Sequence, residues 1–137
     1  GNYFVAVRHR NHLGCMTASA VALSSSATAL DFRSSALATY GTNARKTVGT
    51  NLALRAGNTY RDGNINQMKY TGSANDRDPI LTRVGSTTPN ASAAGYYPED
   101  VNMDGTTKYT GTGNDRDPIL VNVGATTPNS LVNEQLP

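Results

Sequence analysis

An internal repeat limits the fold of this 137-residue chain more than any other feature of its sequence. Residues 69–90 recur as residues 108–129, at a spacing of 39 positions, and 17 of the 22 aligned positions are identical. Such identity indicates two copies of one structural unit. We therefore expect the two copies to fold alike and to bury their apolar residues against each other or against the rest of the chain.

Each copy predicts one short helix. Asp78 and Asp117 suit the N-cap position, and Pro79 and Pro118 suit the first helical position. Apolar residues then share one helix face, and a glycine fits the position after the helix: Ile80, Leu81, Val84 and Gly85 in the first copy, and Ile119, Leu120, Val123 and Gly124 in the second. Helices shorter than two turns are not stable alone, so tertiary packing must stabilise them.

The part of the chain before the repeats reads as β structure. Residues 3–10, 15–23 and 47–55 combine β-branched or alternating apolar residues and predict strands, and residues 27–32 are a further candidate. Residues 34–40 are ambiguous and could form a single helical turn. Three to five antiparallel strands are expected, with a thin core because most of the apolar side chains are small.

The distribution of Asp residues predicts where this part ends. Seven of the eight Asp residues lie between Asp62 and Asp117, which places a boundary near Gly57. We expect a β-rich module at residues 1–56 and a duplicated repeat at 57–137, with copies at about 57–95 and 96–137. The predicted fold class is mainly β, a small antiparallel β module followed by two repeats, each a loop with a short helix.

The second copy contains the clearest chemical motif. Asp100, Asn102, Asp104 and Gly105 form Asp-x-Asn-x-Asp-Gly, the first half of an EF-hand-type calcium loop, in which alternate side chains supply oxygen ligands. A carboxylate normally follows six residues after the glycine, but Gly111 stands there, so residues 108–113 would have to bulge out and return. The predicted ligands are Asp100, Asn102, Asp104, the carbonyl of Thr106, Asp115 and Asp117.

The first copy keeps the alternation but has Asn58 and Tyr60 in place of two oxygen ligands. Its predicted calcium ligands are Asn58, Asp62, Asn64, Asn66, Asp76 and Asp78. We expect either weaker binding than in the second copy or a different ligand set that uses Asn64 and Asn66. A plainer interpretation is that Asp-Gly and Asn-Asp pairs only form turns. In each Asn-Asp-Arg-Asp tetrad, one Asp could cap the helix, and Arg77 or Arg116 could pair with a nearby carboxylate.

The duplicated pattern Asp-x-Asn-x-Asp-Gly, Tyr-x-Gly and Asn-Asp-Arg-Asp-x-Ile-Leu resembles the dockerin-like calcium repeats at the carboxyl ends of secreted Bacteroidetes-type surface proteins. Residues 3–13, 29–32 and 40–43 are similar to the segment that precedes those repeats. The resemblance implies a secreted, non-catalytic region with calcium as its cofactor. Dockerins bind cohesin modules, although the loops here are longer than the dockerin spacing.

Composition excludes several classes of function. A net charge of +2, with no run of basic residues, argues against a dedicated nucleic-acid partner. No apolar stretch is long enough for a membrane span. Charged residues make up only 16% of a chain rich in Asn, Thr and Gly, which favours an extracellular or cell-surface location. The single cysteine, Cys15, excludes an intramolecular disulfide and is expected to be buried.

No arrangement of nucleophile, base and acid is evident, so the sequence predicts no enzyme. His9 and His12 could share a metal if a turn brought them together, but no third ligand is evident nearby, and a surface hairpin is favoured. We expect an extracellular calcium-binding structural protein that self-assembles as a homo-oligomer or filament, since the strand at residues 3–10 is apolar on both faces. The alternative is a docking or carbohydrate-binding module with a protein or carbohydrate partner.

Overall fold

The computed structural model of the chain describes residues 1–60 and 66–137. Within these residues the chain forms small antiparallel sheets and two short helices, which confirms the mainly β class in its coarse form. The elements are β1 (Asn2–Tyr3), β2 (Ala6–His9), β3 (His12–Met16), β4 (Val21–Ala22), β5 (Arg45–Val48), β6 (Asn51–Leu54), β7 (Gln67–Lys69), α1 (Arg77–Arg83), β8 (Ser92–Ala94), β9 (Thr106–Lys108), α2 (Arg116–Val123) and β10 (Leu131–Asn133).

The predicted long strands of the first part are divided. Residues 3–10 do not form one strand, because β1 pairs with β4 whereas β2 pairs with β3. Residues 15–23 are split in the same way between β3 and β4. The single strand predicted at 47–55 is wrong, since Gly49 adopts a positive φ of 60° and turns the chain between β5 and β6. Residues 27–32 contain no strand and residues 34–40 no helix, and Thr39 instead bridges Thr17.

The helices begin earlier than the sequence predicted. They start at Arg77 and Arg116, so Asp78 and Asp117 lie inside the first turn, and their prediction as N-caps is wrong. The reason is that asparagine side chains accept the first amide hydrogens: Asn75 Oδ1 accepts from Arg77 and Asp78 at 3.0 and 3.1 Å, and Asn114 Oδ1 accepts from Asp117 at 3.0 Å. Proline is tolerated in the first turn because its missing N–H would have no helical partner there.

The predicted helix ends and apolar faces are confirmed. Gly85 and Gly124 follow the helices with φ values of 109° and 127°, a backbone conformation that favours glycine. Ile80 and Ile119 are fully buried. The apolar face predicted from the spacing therefore packs into the core.

The two repeats exchange strands. The strand that ends the first copy, β8, pairs with β9 of the second copy, and the equivalent β10 pairs with β7 of the first. The side chains repeat the exchange, since the Thr71 hydroxyl donates to the carbonyl of Pro128 at 3.2 Å and the Thr110 hydroxyl donates to that of Pro89 at 3.0 Å. Each two-stranded sheet of the repeats therefore contains one strand from each copy.

The core includes residues from both parts of the chain. Leu13, from β3, belongs to the same buried cluster as the repeat residues Met68, Ile80, Val101, Ile119, Val123 and Val132. Gly57 lies where the first part meets the repeats, and a Cβ there would come within 2.8 Å of Ile119 and 2.9 Å of Met68. The boundary near Gly57 is thus a point of close packing.

Two further sequence predictions concern buried and apolar residues. Cys15 is fully buried and free, as predicted, and burial raises the pKa of its thiol. Among the described residues, none of the helices is long and apolar enough to cross a membrane.

Candidate functional site

The Asp-x-Asn-x-Asp-Gly segment folds into a loop held by its own side chains. The backbone N–H of Asp104 donates to Asp100 Oδ1 at 3.1 Å and to Asn102 Oδ1 at 2.9 Å. The N–H groups of Gly105 and Thr106 donate to Asp100 Oδ2 at 3.1 Å and to Asp104 Oδ1 at 2.9 Å. Side-chain oxygens from three alternate positions are therefore gathered around residues 104–106. We refer to residues 100–106 as the second acidic loop.

Exposure rises along this loop. Asp100 is buried at 2% exposure and pairs with the Arg10 guanidinium at 3.4 Å, whereas Asn102 is half-buried and Asp104 is exposed. The loop is therefore anchored at one end and open to solvent at the other. A carboxylate oxygen can accept more than one contact, so Asp104 keeps acceptor capacity on the solvent side.

Asp115 holds the second acidic loop in place through hydrogen bonds from backbone amides. Its Oδ1 accepts the N–H groups of Val101 and Asn102 at 2.6 and 3.0 Å, and its Oδ2 accepts that of Lys108 at 2.7 Å. The carboxyl group is fully buried. Burial raises its pKa, the nearby charge of Asp100 adds to the increase, and the three backbone amides act in the opposite direction.

In the first copy, Asp76 makes the same contacts with backbone amides as Asp115 does in the second. Asp76 is fully buried, and its Oδ1 accepts the N–H groups of Thr59 and Tyr60 at 2.8 and 2.9 Å. Its Oδ2 accepts that of Lys69 at 2.7 Å. Asp76 and Asp115 were both predicted as metal ligands, but in the structure both carboxylates accept hydrogen bonds from backbone amides. The physical reason is that the backbone N–H groups of a tightly turned loop have no partners in a helix or sheet.

The segment between the loop and α2 bulges out and returns. Its ends are joined by two hydrogen bonds, from the Lys108 N–H to the Asp115 carboxylate and from the Asp115 N–H to the Lys108 carbonyl at 2.9 Å. Asn102 Nδ2 also donates to the Gly113 carbonyl at 2.8 Å. The bulge therefore closes against the acidic loop.

The second Asp of each tetrad is exposed and lies beside a cleft. Asp117 lines a cleft of about 450 Å³ together with Asn102, and Asp78 lines the equivalent cleft of about 420 Å³ together with Tyr60. Each carboxylate accepts one hydrogen bond at 2.8 Å from the asparagine that caps its helix. Two predicted calcium ligands of the second copy, Asn102 and Asp117, therefore line the same open cleft.

The arginines of the tetrads contact aromatic rings. The guanidinium of Arg77 lies 4.9 Å from the ring centre of Tyr70, and that of Arg116 lies 5.0 Å from that of Tyr109. Each contact joins the tetrad to the residue that directly follows the preceding strand, β7 or β9, whereas the sequence suggested a bridge to a carboxylate.

The remaining predicted ligands of the first copy do not gather in the described part of the chain. Asn58 is buried, and its backbone N–H donates to the carbonyl of Asn11 at 2.9 Å. Asn66 is exposed, and its carbonyl accepts the N–H of Glu134 at 2.7 Å. Asp62 and Asn64 lie outside the described residues.

The donor set of the second acidic loop is a mixed one. Within residues 1–60 and 66–137, no three side chains of His, Cys, Asp or Glu are arranged to hold one metal ion. The loop instead combines the carboxylates of Asp100 and Asp104 with the amide oxygen of Asn102. Hard oxygen donors of these types, completed by backbone carbonyls and water, are what Ca²⁺ accepts, so the donor chemistry fits this ion.

The β2–β3 hairpin brings His9 and His12 together, which was the condition that the sequence set for a metal shared by the two rings. The two rings lie edge to face with their centres 4.4 Å apart. Burial, with smaller contributions from His9 and Arg10, lowers the pKa of His12 from 6.5 to about 4. The His12 ring is therefore neutral near pH 7.

Sequence reasoning missed several residues that shape these sites. Asn75 and Asn114 stand three residues before an Asp, and this spacing, close to that of a capping box, was an available signal. Arg10 and Asn11 contact residues 97–100, and no local pattern predicts a contact across about 90 positions.

Comparisons of the chain with known protein families, curated proteins and solved structures gave no match.

Proposed function

We propose that this chain is an extracellular, non-catalytic structural module that is stabilised by calcium bound at the second acidic loop. The proposal rests chiefly on the placement of Asp100, Asn102 and Asp104, whose oxygens converge on the amides of residues 104–106. Buried Asp115 holds this loop in shape without calcium, and a preformed loop loses less entropy when it binds an ion.

The charges around the loop support a cation. Asp100 pairs with Arg10, but Asp104, Asp115 and Asp117 form no ion pair with another residue in the described part of the chain. Neighbouring carboxylates repel one another, and this repulsion contributes to the raised pKa of Asp115. A divalent cation would relieve it.

The proposal ranks the two loops. Replacing Asp104 with Ala should weaken calcium binding more than replacing Asp62 with Ala. The second loop supplies two carboxylates and an amide, whereas the first has Asn58 and Tyr60 at two of the three equivalent positions. Isothermal titration calorimetry of the two variants and the wild type measures the difference. Equal losses, or a larger loss for Asp62→Ala, would contradict the ranking.

We further propose that the module self-associates through its exposed β1 end. Tyr3 and Phe4 are each 56% exposed beside the two-stranded sheet of β1 and β4, and strands in so small a sheet keep edges that can pair with another chain. The equivalent strands of the two repeats already pair with each other within the chain. The β1 end is therefore the better candidate for contact with a second copy.

Light scattering and electron microscopy at rising calcium concentration should detect species larger than a monomer. Replacing Phe4 with Lys should reduce them, because it places a charge at the apolar edge. Val48, which is 58% exposed on β5, offers a matched control, and Val48→Lys should assemble as the wild type does. A strictly monomeric protein at high concentration in millimolar calcium would contradict assembly.

A monomeric result would favour the second candidate function, a docking or carbohydrate-binding module. The observation that supports this candidate is Tyr96, whose side chain is 79% exposed and lies against the Arg10 guanidinium, 3.9 Å from the ring centre. Exposed aromatic rings are common at recognition surfaces.

A further inference from the structure

The turn of the β2–β3 hairpin brings three electron-donor atoms together. His9 Nδ1 and His12 Nδ1 are 2.9 Å apart, and Asn11 Oδ1 lies 3.1 Å from the first and 2.7 Å from the second. The three atoms therefore form a triangle with edges of 2.7 to 3.1 Å. His9 and His12 form a cross-strand pair, so the sheet register itself sets the distance between their rings.

The orientation of the Asn11 amide is fixed by two other contacts. Its Nδ2 donates to the carbonyls of Pro98 and Asp100 at 2.9 and 2.7 Å, so the oxygen must face the two imidazoles. The residue is fully buried, and its own carbonyl accepts the N–H groups of Gly57 and Asn58 at 2.9 Å each. Both repeats thus hold this oxygen in place.

Protons alone cannot satisfy all three contacts. The amide oxygen can only accept a hydrogen bond, and each imidazole carries at most one proton on Nδ1. If both nitrogens donate to Asn11, two N–H groups face each other across 2.9 Å. If His9 donates to His12, the bare nitrogen of His12 faces the amide oxygen. In every arrangement of protons, at least one of the three contacts therefore joins two donors or two acceptors.

A metal ion would satisfy all three donors at once. Octahedral coordination, with bonds of about 2.0–2.2 Å at right angles, places neighbouring donors about 2.8–3.1 Å apart, close to the edges of this triangle. Tetrahedral Zn²⁺ places them about 3.3–3.6 Å apart, so zinc binding requires the two rings to separate by about half an ångström. Imidazole nitrogens favour zinc, copper and nickel over calcium. His9 and His12 are half-buried, so the side opposite the triangle can admit water or a further ligand.

We propose that His9, Asn11 and His12 form a binding site for one divalent transition-metal ion, of the Zn²⁺ or Ni²⁺ type, separate from the calcium loops. The carbonyl of Asp100 contacts the Asn11 amide, so this site adjoins the second acidic loop without sharing its side-chain ligands.

The test titrates the full chain with zinc chloride and with nickel chloride in millimolar calcium, followed by calorimetry. We expect saturable one-to-one binding that magnesium chloride does not reproduce. His9→Ala and His12→Ala should each weaken it by at least about tenfold, since each removes one of two nitrogen ligands. Arg8→Gln is the matched control, because Arg8 is exposed on the same strand and its ion pair within the described residues is with Glu134.

A second measurement on the wild type covers the case in which a variant fails to fold. His9 and His12 are the only histidines of the chain, so every imidazole signal in a ¹⁵N spectrum reports on this site. Zinc should shift the Nδ1 resonances of both rings together. Absence of saturable binding, shifts confined to Nε2, or binding that survives both substitutions would overturn the proposal.

Discussion

Replacing Asp115 with Asn is expected to lower the free energy of unfolding by about 2–5 kcal/mol. The Asp115 carboxylate accepts three backbone N–H groups through its two oxygens while it is fully buried. An amide has one oxygen and one NH₂ group, so a donor would face either Lys108 or the pair Val101 and Asn102. At least one buried N–H would then lose its partner, and the link between the loop and β9 would break.

Asp117→Asn is the matched control for this prediction. Asp117 belongs to the same tetrad, but it is exposed and accepts one hydrogen bond, from Asn114. Its replacement should change the free energy of unfolding by no more than about 1 kcal/mol. Urea denaturation in excess chelator compares the two variants without any contribution from calcium affinity. Equal small losses would show that Asp115 does not organise the loop.

Removal of calcium is expected to lower the melting temperature by on the order of 10 °C, because an ion bound only to the folded state adds about 2.7 kcal/mol at a hundredfold excess over its Kd. The buried apolar cluster is small, so little other stabilisation offsets the loss. Differential scanning calorimetry with and without chelator measures the shift. Magnesium should restore little of it, because it prefers a strict octahedron and retains its waters.

The Asp104→Ala variant is the control for the calcium effect. Asp104 is exposed, and its side-chain hydrogen bonds to described residues all lie within the loop, so its loss should leave the chelated protein nearly as stable as the chelated wild type. It should remove most of the increase that calcium produces. An unchanged melting curve of the wild type after confirmed removal of metal would refute calcium stabilisation.

The sequence repeat made the short helix of each copy predictable, but it did not predict how the strands of the two copies pair. Identical residues implied identical helices, and Ile80 and Ile119 are indeed buried in equivalent places. The exchange of β8 and β10 between the copies depends on pairings across many residues, for which neither segment carries a local signal. In the first part, alternation predicted strands, but a turn at Gly49 divided one of them because glycine readily adopts a positive φ.

The sequence could name the acidic residues of the site but not assign their tasks. Asp115 and Asp117 stand two positions apart and read alike as oxygen ligands. Burial separates them, since Asp115 is fully buried and serves backbone amides whereas Asp117 is exposed at a cleft. Asn11 was missed altogether, because its role depends on the carbonyls of Pro98 and Asp100, which the fold brings to it.

The most direct test of calcium binding at the second acidic loop is a calcium titration followed by ¹H–¹⁵N NMR spectroscopy of the chelated protein. The amide signals of Asp104, Gly105 and Thr106 should shift first and furthest and should reach saturation, because their N–H groups donate to the oxygens that would bind the ion. The same signals should stay unchanged in Asp104→Ala over the same range of concentration. A wild-type spectrum in which these three amides do not move in millimolar calcium would contradict the proposed function.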